Sequence, residues 1–387
     1  MASIVLVAGD PSGDAHAAHL VTALKARDAS LTFTALGGPA LQRAGVTLLD
    51  DLTTTATIGP FDAAKHLARF RRAAQRLEAH LQSARPTLAI LVDFGDFNLP
   101  VIAPLVKRYG IPIAYYISPQ LWAWGRFRLR FVRRYVERMI VFFKFEEAFY
   151  QREGIPVTWV GHPLVERATS TMSKEEALRR AGLNPWRRTV GLLPGSRAHE
   201  VHRHLPLMLA TARRIARRMP GVQFLLPRAA SLPREIFDAA LAHAAVDVHV
   251  ADGSIDEALS CMDAAVVASG TATLETALGG VPMVVVYRAS WPTYLAARAV
   301  IRIPNIALVN VVAGTRIVPE FVQHHATPKR LAQELVALLR NEERRAAMRR
   351  AFERLRETLG PPGAVARAAS TVLELLIAPS NTPCDRR

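Results

Sequence analysis

Short, nearly continuous apolar runs recur along the chain, each followed by a stretch whose apolar positions have helical spacing. A strand that is apolar at every position must be buried on both faces. A parallel sheet covered by helices on both sides is the arrangement that buries it so. Two series of such runs are expected to be strands. The first comprises Ile4–Ala8, Thr32–Leu36, Leu88–Asp93, Pro112–Ile117, Met139–Phe143 and Thr158–Val160. The second comprises Thr189–Pro194, Val222–Leu226, Val246–Val250, Ala264–Ala268 and Pro282–Tyr287. Between them lie Gly161-His162-Pro163, the polar helical stretch Ser173–Ala181 and the turn Gly182-Leu183-Asn184-Pro185. The pattern predicts two doubly wound α/β domains, 1–165 and 166–349, with a cleft between them, and 387 residues suffice for two cores. From Thr327 to about Ile377 the chain reads as helix with one break at Gly360-Pro361-Pro362-Gly363, and the last dozen residues read as disordered.

Composition narrows the function classes. The formal net charge is +16, from 49 Lys and Arg against 33 Asp and Glu. Such a surface attracts polyanions: nucleic acid, anionic lipid or phosphorylated substrates. No nucleic-acid recognition motif accompanies the charge, and much of it is arginine spread along helical stretches, where it also serves as solvated surface. The two cysteines, Cys261 and Cys384, form no disulfide framework or zinc spacing, which fits a reducing cytoplasm. The start, Met1-Ala2-Ser3, runs directly into Ile4–Ala8, which is too short for a signal peptide. No run of about 18 apolar residues is present to span a bilayer.

Five motifs fall where α/β sheets place ligands, beyond the carboxyl ends of strands. Ala8-Gly9-Asp10-Pro11-Ser12-Gly13-Asp14 opens a helix, and its small residues admit a ligand to backbone N–H groups; Asp14 as a cap is the plainer explanation. Asp93-Phe94-Gly95-Asp96-Phe97-Asn98 offers a carboxylate able to take a proton from a hydroxyl nucleophile, or else a helix cap at Asp96 or Asn98. Tyr115–Trp124 is aromatic-rich, with Tyr115 suited to a core and Trp122 and Trp124 to ligand contact. Leu193-Pro194-Gly195-Ser196-Arg197 combines close backbone approach at Gly195 and Ser196 with a guanidinium that binds phosphate by two hydrogen bonds. Ser269-Gly270-Thr271-Ala272-Thr273-Leu274-Glu275 places hydroxyls at a helix N-terminus, with Glu275 one turn in to accept from ribose hydroxyls. A phosphate-loop lysine motif, a D-x-D triplet and a metal-ligand cluster are all missing from the sequence. Phosphate charge is then expected to be met by arginine and backbone N–H groups, without metal or cofactor. Two domains with an anion site in the second suggest a nucleotide-sugar enzyme.

In this order the motifs resemble those of the lipid-A-disaccharide synthase family, inverting glycosyltransferases of the two-Rossmann-domain (GT-B) type. The resemblance covers about residues 4–375. It rests on Ala8–Asp14, Gly37-Gly38-Pro39, Asp96-Phe97-Asn98, Ser118–Trp124, Phe145-Glu146, Gly161-His162-Pro163, Leu193–Arg197, Ser269–Glu275 and Pro319-Glu320. It implies transfer of 2,3-diacylglucosamine from a UDP donor to the 6-hydroxyl of 2,3-diacylglucosamine 1-phosphate. It also implies roles: Asp96 as base, Arg197 on the departing diphosphate aided by Ser269–Thr273, Asn310 as a further important polar residue, and the second domain as nucleotide site. Asp10, a candidate catalytic carboxylate by the resemblance, stands where the family usually has Glu, one methylene longer. A helix at about 350–377 is expected to return to the first domain. The family's membrane-facing stretch corresponds to Ile58–Arg72, where Ile58, Phe61, Leu67 and Phe70 are apolar, with Lys65, Arg69, Arg71 and Arg72 alongside. That implies a cytoplasmic protein lying on the inner membrane surface. A UDP-sugar 2-epimerase of the same fold and a non-catalytic nucleotide-sugar binder are the competing readings.

Overall fold

The computed structural model describes residues 2–53, 63–166, 172–229, 232–291, 294 and 305–377, with backbone only for 63–67. Expectations about Ile58, Phe61, Lys65, Leu67 and the residues after 377 therefore fall outside the described residues or side chains. The chain forms two compact units: Met1–Pro163 with Leu359–Arg387, and Leu164–Thr358.

The first unit holds β1 (Ser3–Ala8), β2 (Thr32–Gly37), β3 (Thr47–Asp51), β4 (Leu88–Val92), β5 (Ile113–Tyr116), β6 (Arg138–Val141) and β7 (Val157–Trp159). They form a parallel sheet in the order β3-β2-β1-β4-β5-β6-β7. The direction of winding reverses between β1 and β4, which creates a switch point. Side chains alternate across the sheet. Ile4, Leu6, Leu88, Ile90, Ala114 and Tyr116 face one core; Val5, Val7, Ala89, Leu91, Ile113 and Tyr115 face the other.

The second unit holds β8 (Thr189–Leu193), β9 (Gln223–Pro227), β10 (His249–Ala251), β11 (Ala264–Ala268), β12 (Met283–Tyr287) and β13 (Glu320–Val322). Their order, β10-β9-β8-β11-β12-β13, repeats the pattern with its own switch point between β8 and β11. Helices Ala198–Arg218 and Pro328–Arg340 pack together, burying Leu205, Met208, Leu331 and Leu335.

Two strands have no counterpart among the apolar runs. β3 reads Thr-Leu-Leu-Asp-Asp and is half-buried, and β13 has three residues. Both lie at sheet edges, where one side needs no apolar cover. The C-terminal return also differs from expectation: it begins at Leu359, because Glu342–Thr358 belongs to the second unit. That helix buries Met348, Phe352 and Leu355 against helices Thr271–Leu278, Leu308–Ala313 and Pro328–Arg340. An additional helix break falls at Asn341, whose Oδ1 accepts from Arg344 N at 2.9 Å. Buried Arg345 donates to the Leu338 carbonyl at 2.8 Å, one of the carbonyls left over at the end of Pro328–Arg340.

Gly161-His162-Pro163 marks where the chain leaves the first unit, and the returning chain meets it there. His162 N donates to Leu359 O at 2.9 Å, and Arg367 Nε donates to Val160 O at 2.9 Å. Gly161, at φ +82, is left-handed, and a methyl group on it would lie 3.1 Å from the Leu359 carbonyl. Helix Ala364–Ile377 then packs on Pro11–Lys25, placing Ala368, Ala369 and Val372 in the core beside Ile4 and Leu6. Among the described residues no helix is long and apolar enough to cross a membrane.

Truncating Val372, which is fully buried, to Ala should lower stability by about 1–3 kcal/mol through lost contact and a cavity. The exposed neighbour Glu374→Ala should stay within about 0.5 kcal/mol of wild type. Urea unfolding midpoints of the two variants check this.

Candidate active site

The pairing of Ala8 with Val92 starts two loops side by side at the first switch point. After β4 the chain does not continue extended. Asp93 (φ +42) and Phe94 (φ +48) are both left-handed, which is costly for side-chain-bearing residues. Three contacts hold them there. Tyr115 Oη donates to Asp93 O at 2.5 Å, and buried Asn98 Nδ2 donates to the same oxygen at 2.9 Å. The Phe94 ring fills the space beside Gly9, where a methyl group would lie 2.1 Å away. The turn ends the expected strand one residue early and presents Gly95-Asp96-Phe97 as a short helical turn. Neither Asp96 nor Asn98 caps that turn by its side chain. Asp96 is 69 % exposed and forms an ion pair with Arg128.

Across from it, Asp10 is the N-cap of helix Pro11–Lys25, and its Oδ1 accepts from Gly13 N at 2.6 Å. Ser12 is exposed in the first turn of that helix, and Gly13 is buried. Asp14 does cap a helix, but the next one. Buried, it accepts from Gly38 N at 2.7 Å and Ala40 N at 2.8 Å, which explains Gly37-Gly38-Pro39.

The aromatic segment after β5 divides in two. Trp122 turns inward, donating its indole N–H to buried Glu146 at 3.2 Å and meeting Phe145 edge-on at 4.9 Å. Trp124 is exposed, with the Arg128 guanidinium stacked 4.6 Å from its ring centroid. Tyr115 is buried as expected of a core residue, yet its hydroxyl also sets the Asp93 turn. Glu146 also accepts from Phe143 N at 3.3 Å, and Ser118 Oγ and Tyr150 Oη share a hydrogen bond of 2.7 Å.

In the second unit, the pairing of Leu193 with Val267 again starts two loops together. Gly195 is left-handed at φ +118, and the space a methyl group would take is filled by Glu200, 2.3 Å away. That carboxylate accepts from Ser196 N at 3.1 Å and Arg197 N at 3.3 Å, so the N–H groups expected for phosphate are capped by the protein itself. Arg197 is the N-cap of helix Ala198–Arg218, its side chain half-exposed with Nη1 3.4 Å from Glu200. Behind the loop, buried His204 donates from Nδ1 to Pro194 O at 3.0 Å and accepts from Arg288 N at Nε2, 3.2 Å away. Burial holds its pKa below the usual histidine range, in keeping with this neutral tautomer.

Gly270, at φ +149, opens the neighbouring helix Thr271–Leu278, and nothing lies within 4 Å of a methyl group placed there. Thr271 is exposed beside it, and Glu275 is half-buried. Ser269 and Thr273 are committed internally. Ser269 Oγ donates to Ile306 O at 3.1 Å; Thr273 Oγ1 donates to Gly270 O at 2.7 Å and accepts from Val309 N at 3.3 Å. Asn310 is fully buried and its amide is saturated. Nδ2 donates to Val318 O at 2.9 Å and Glu320 Oε1 at 2.7 Å; Oδ1 accepts from Ile317 N at 2.8 Å and Val318 N at 3.0 Å. Glu320 also accepts from Ile306 N at 3.0 Å and Ala307 N at 3.1 Å, which explains Pro319-Glu320. Among the described residues no cluster of three or more His, Cys, Asp or Glu is placed to hold a metal ion.

A family model described as lipid-A-disaccharide synthetase matches residues 4–374. The chain belongs to the lipid-A-disaccharide synthase family. It is 44% identical over 374 residues to the lipid-A-disaccharide synthase of Syntrophus aciditrophicus, covering 96% of this chain and 97% of that one. Identity to the Geobacter sulfurreducens lipid-A-disaccharide synthase is 41% over 373 residues, with the same coverage of 96% and 97%. Solved structures share the fold at low identity. They include a Staphylococcus aureus MnaA–UDP co-structure (TM-score 0.66, 13% identity, all of both chains) and Acinetobacter baumannii MurG (TM-score 0.57, 14% identity, 97% of this chain and all of that one). As a lipid-A-disaccharide synthase the chain is a glycosyltransferase, with nucleotide-sugar and lipid-linked sugar substrates. Two residues of its first site, Arg128 and Tyr115, had no distinguishing sequence signal for these contacts. Arg128 is one of five arginines between 126 and 134, and only the fold separates it from the others.

Beneath that site, burial pushes the Glu146 carboxyl up to about 8 from 4.5. Between those values the folded protein holds a proton that the unfolded chain has released, so Glu146 removes stability as pH rises through the window. Glu146→Gln keeps an acceptor for the Trp122 indole and cannot ionise. Thermal midpoints measured from pH 5 to about 8.5 should fall less steeply in the variant than in wild type.

Proposed function

We propose that the chain transfers 2,3-diacylglucosamine from its UDP donor to the 6-hydroxyl of 2,3-diacylglucosamine 1-phosphate. The products are the β(1→6) disaccharide 1-phosphate and UDP. Asp96 carries this reading: an exposed carboxylate on a strained turn at the first switch point, in a chain of this family. Asp96 takes the hydroxyl proton as the oxygen attacks the anomeric carbon, and the bond from that carbon to the diphosphate oxygen breaks. Arg197, with the open turn at Gly270 and Thr271, meets the leaving diphosphate, and Glu275 meets the ribose. Ser12 and Gly13 line the acceptor side. Asp10, Ser269, Thr273 and Asn310 position these loops by the hydrogen bonds described. Because both substrates carry acyl chains, the enzyme works docked on the inner membrane surface. Exposed Arg71 and Arg72 are suited to anionic lipid, whereas Phe70 packs inward on Phe94 and Phe97.

Mass spectrometry of products from short-chain donor and acceptor should show the disaccharide, with UDP released only when acceptor is present. A 2-epimerase would act on donor alone. Asp96→Asn should cut kcat by about 10²–10⁴-fold and leave donor binding nearly intact; near-normal turnover removes Asp96 as the base.

Arginine is proposed to supply the leaving-group charge in place of a metal. EDTA should therefore leave the rate unchanged. Arg197→Ala should weaken UDP binding in calorimetry, and Arg197→Lys should recover only part, since a point charge replaces a planar fork. Strict dependence on added Mg²⁺ would refute this.

A further inference from the structure

We infer that Arg128 is a positioning residue for the transfer reaction: it fixes the direction of the Asp96 carboxylate. This rests on the reading of Asp96 as the base. The two partners are unequal. Asp96 is 69 % exposed by side chain, whereas Arg128 is 14 % exposed. A surface carboxylate paired with a solvated arginine would swing freely, and such pairs order little. Here the cation is itself fixed. Its guanidinium lies 4.6 Å from the Trp124 ring centroid and 5.4 Å from that of Phe127. Its backbone N–H donates to Gly125 O at 2.8 Å, closing a turn that begins with left-handed Gly125 at φ +79. Leu129 and Val132, the next buried residues, anchor the following helix in the core.

The backbone of Asp96 is fixed by a different route. A methyl group on Gly95 would lie 2.7 Å from Pro119 Cβ, so the Asp96 turn sits directly against the segment that leads to Trp124. Arg128 thus joins two loops from neighbouring strands, β4 and β5, at the exposed carboxylate. The contact engages Oδ1. Among the described residues Oδ2 accepts no hydrogen bond, which leaves it to receive the hydroxyl proton. A carboxylate held by one oxygen keeps its other oxygen in one direction, and misplacement of a reacting group by about 1 Å costs on the order of 10²-fold in rate.

The test is a kinetic cycle on the full-length enzyme with short-chain substrates. Arg128→Met, which keeps bulk without charge, should lower kcat by about 10²-fold and change the donor KM little. Arg128→Lys should recover part of the loss, because the charge returns without the planar fork. In an Asp96→Asn background, Arg128→Met should cost little more, because residues that act as one unit are non-additive. Circular dichroism and thermal midpoints establish that each variant is folded. A folded Arg128→Met enzyme with wild-type kcat overturns the inference. So do losses that multiply fully in the double variant, which would show Arg128 acting independently of Asp96. If Arg128→Met does not fold, Arg128→Lys decides: unchanged kcat overturns the inference and a selective kcat loss supports it. An Asp96→Asn enzyme with normal turnover is a separate outcome, which removes the base itself and with it the role of Arg128.

Discussion

One buried amide holds the first site together. Asn98 Nδ2 lies within 3.4 Å of Val7 O, 3.2 Å of Val92 O and 2.9 Å of Asp93 O. Those oxygens belong to the ends of two adjacent parallel strands and to the first left-handed residue beyond them. Val7 and Val92 still pair with strands on both sides, whereas Asp93 lies past the last paired residue of β4, and a buried carbonyl left without a donor is costly. Asn98 supplies that donor. Together with the Tyr115 hydroxyl and the Phe94 ring beside Gly9, that amide holds the Asp93-Phe94 turn beyond which Asp96 is exposed.

The second unit uses the same device with other residues. His204 joins the ends of β8 and β12 through Pro194 O and Arg288 N. Asn310 and Glu320 fasten the segment before helix Leu308–Ala313, and Gln323 (φ +50) brackets Ala289 from both sides, at 2.8 Å and 3.1 Å. His204, Asn310 and Gln323 are buried and Glu320 is half-buried, and their hydrogen bonds tie neighbouring loops together, an arrangement that makes loops rigid. Asp96, Ser12, Arg197 and Thr271 are among the side chains left exposed near these strand ends. Rigid support beneath and exposed chemistry above is what placing a reacting group requires.

The sheets were legible because continuous apolar runs leave few alternatives, and the motifs were legible because glycine and polar residues interrupt those runs at strand ends. The edges were not: β3 carries two aspartates and β13 only three residues, and an edge strand needs little apolar sequence. Within the motifs, residue type announced polarity but not direction. Thr273 read as an anion contact and Asn310, through the resemblance, as an important polar residue; the hydrogen bonds shown for both turn inward, a matter of backbone path that no local pattern encodes. Asp14 read as a cap for its own helix and serves the next. Arg128 was hidden among its neighbours because its partner lies 32 positions away and is brought close only by strand order.

The first unit is sewn shut by the far end of the chain. Its sheet is laid down by residue 160, but one face is completed by helix Ala364–Ile377, with Arg367 closing onto Val160. During synthesis the whole second unit emerges before that helix does. At about 5–20 residues per second, some 200 residues take tens of seconds at the slow end of the range. Through that interval Ile4, Leu6 and their neighbours lack their final cover, because residues 364–377 follow the last helix of the second unit, Glu342–Thr358. The first unit, begun first, therefore completes its core only after the residues of the second have been made.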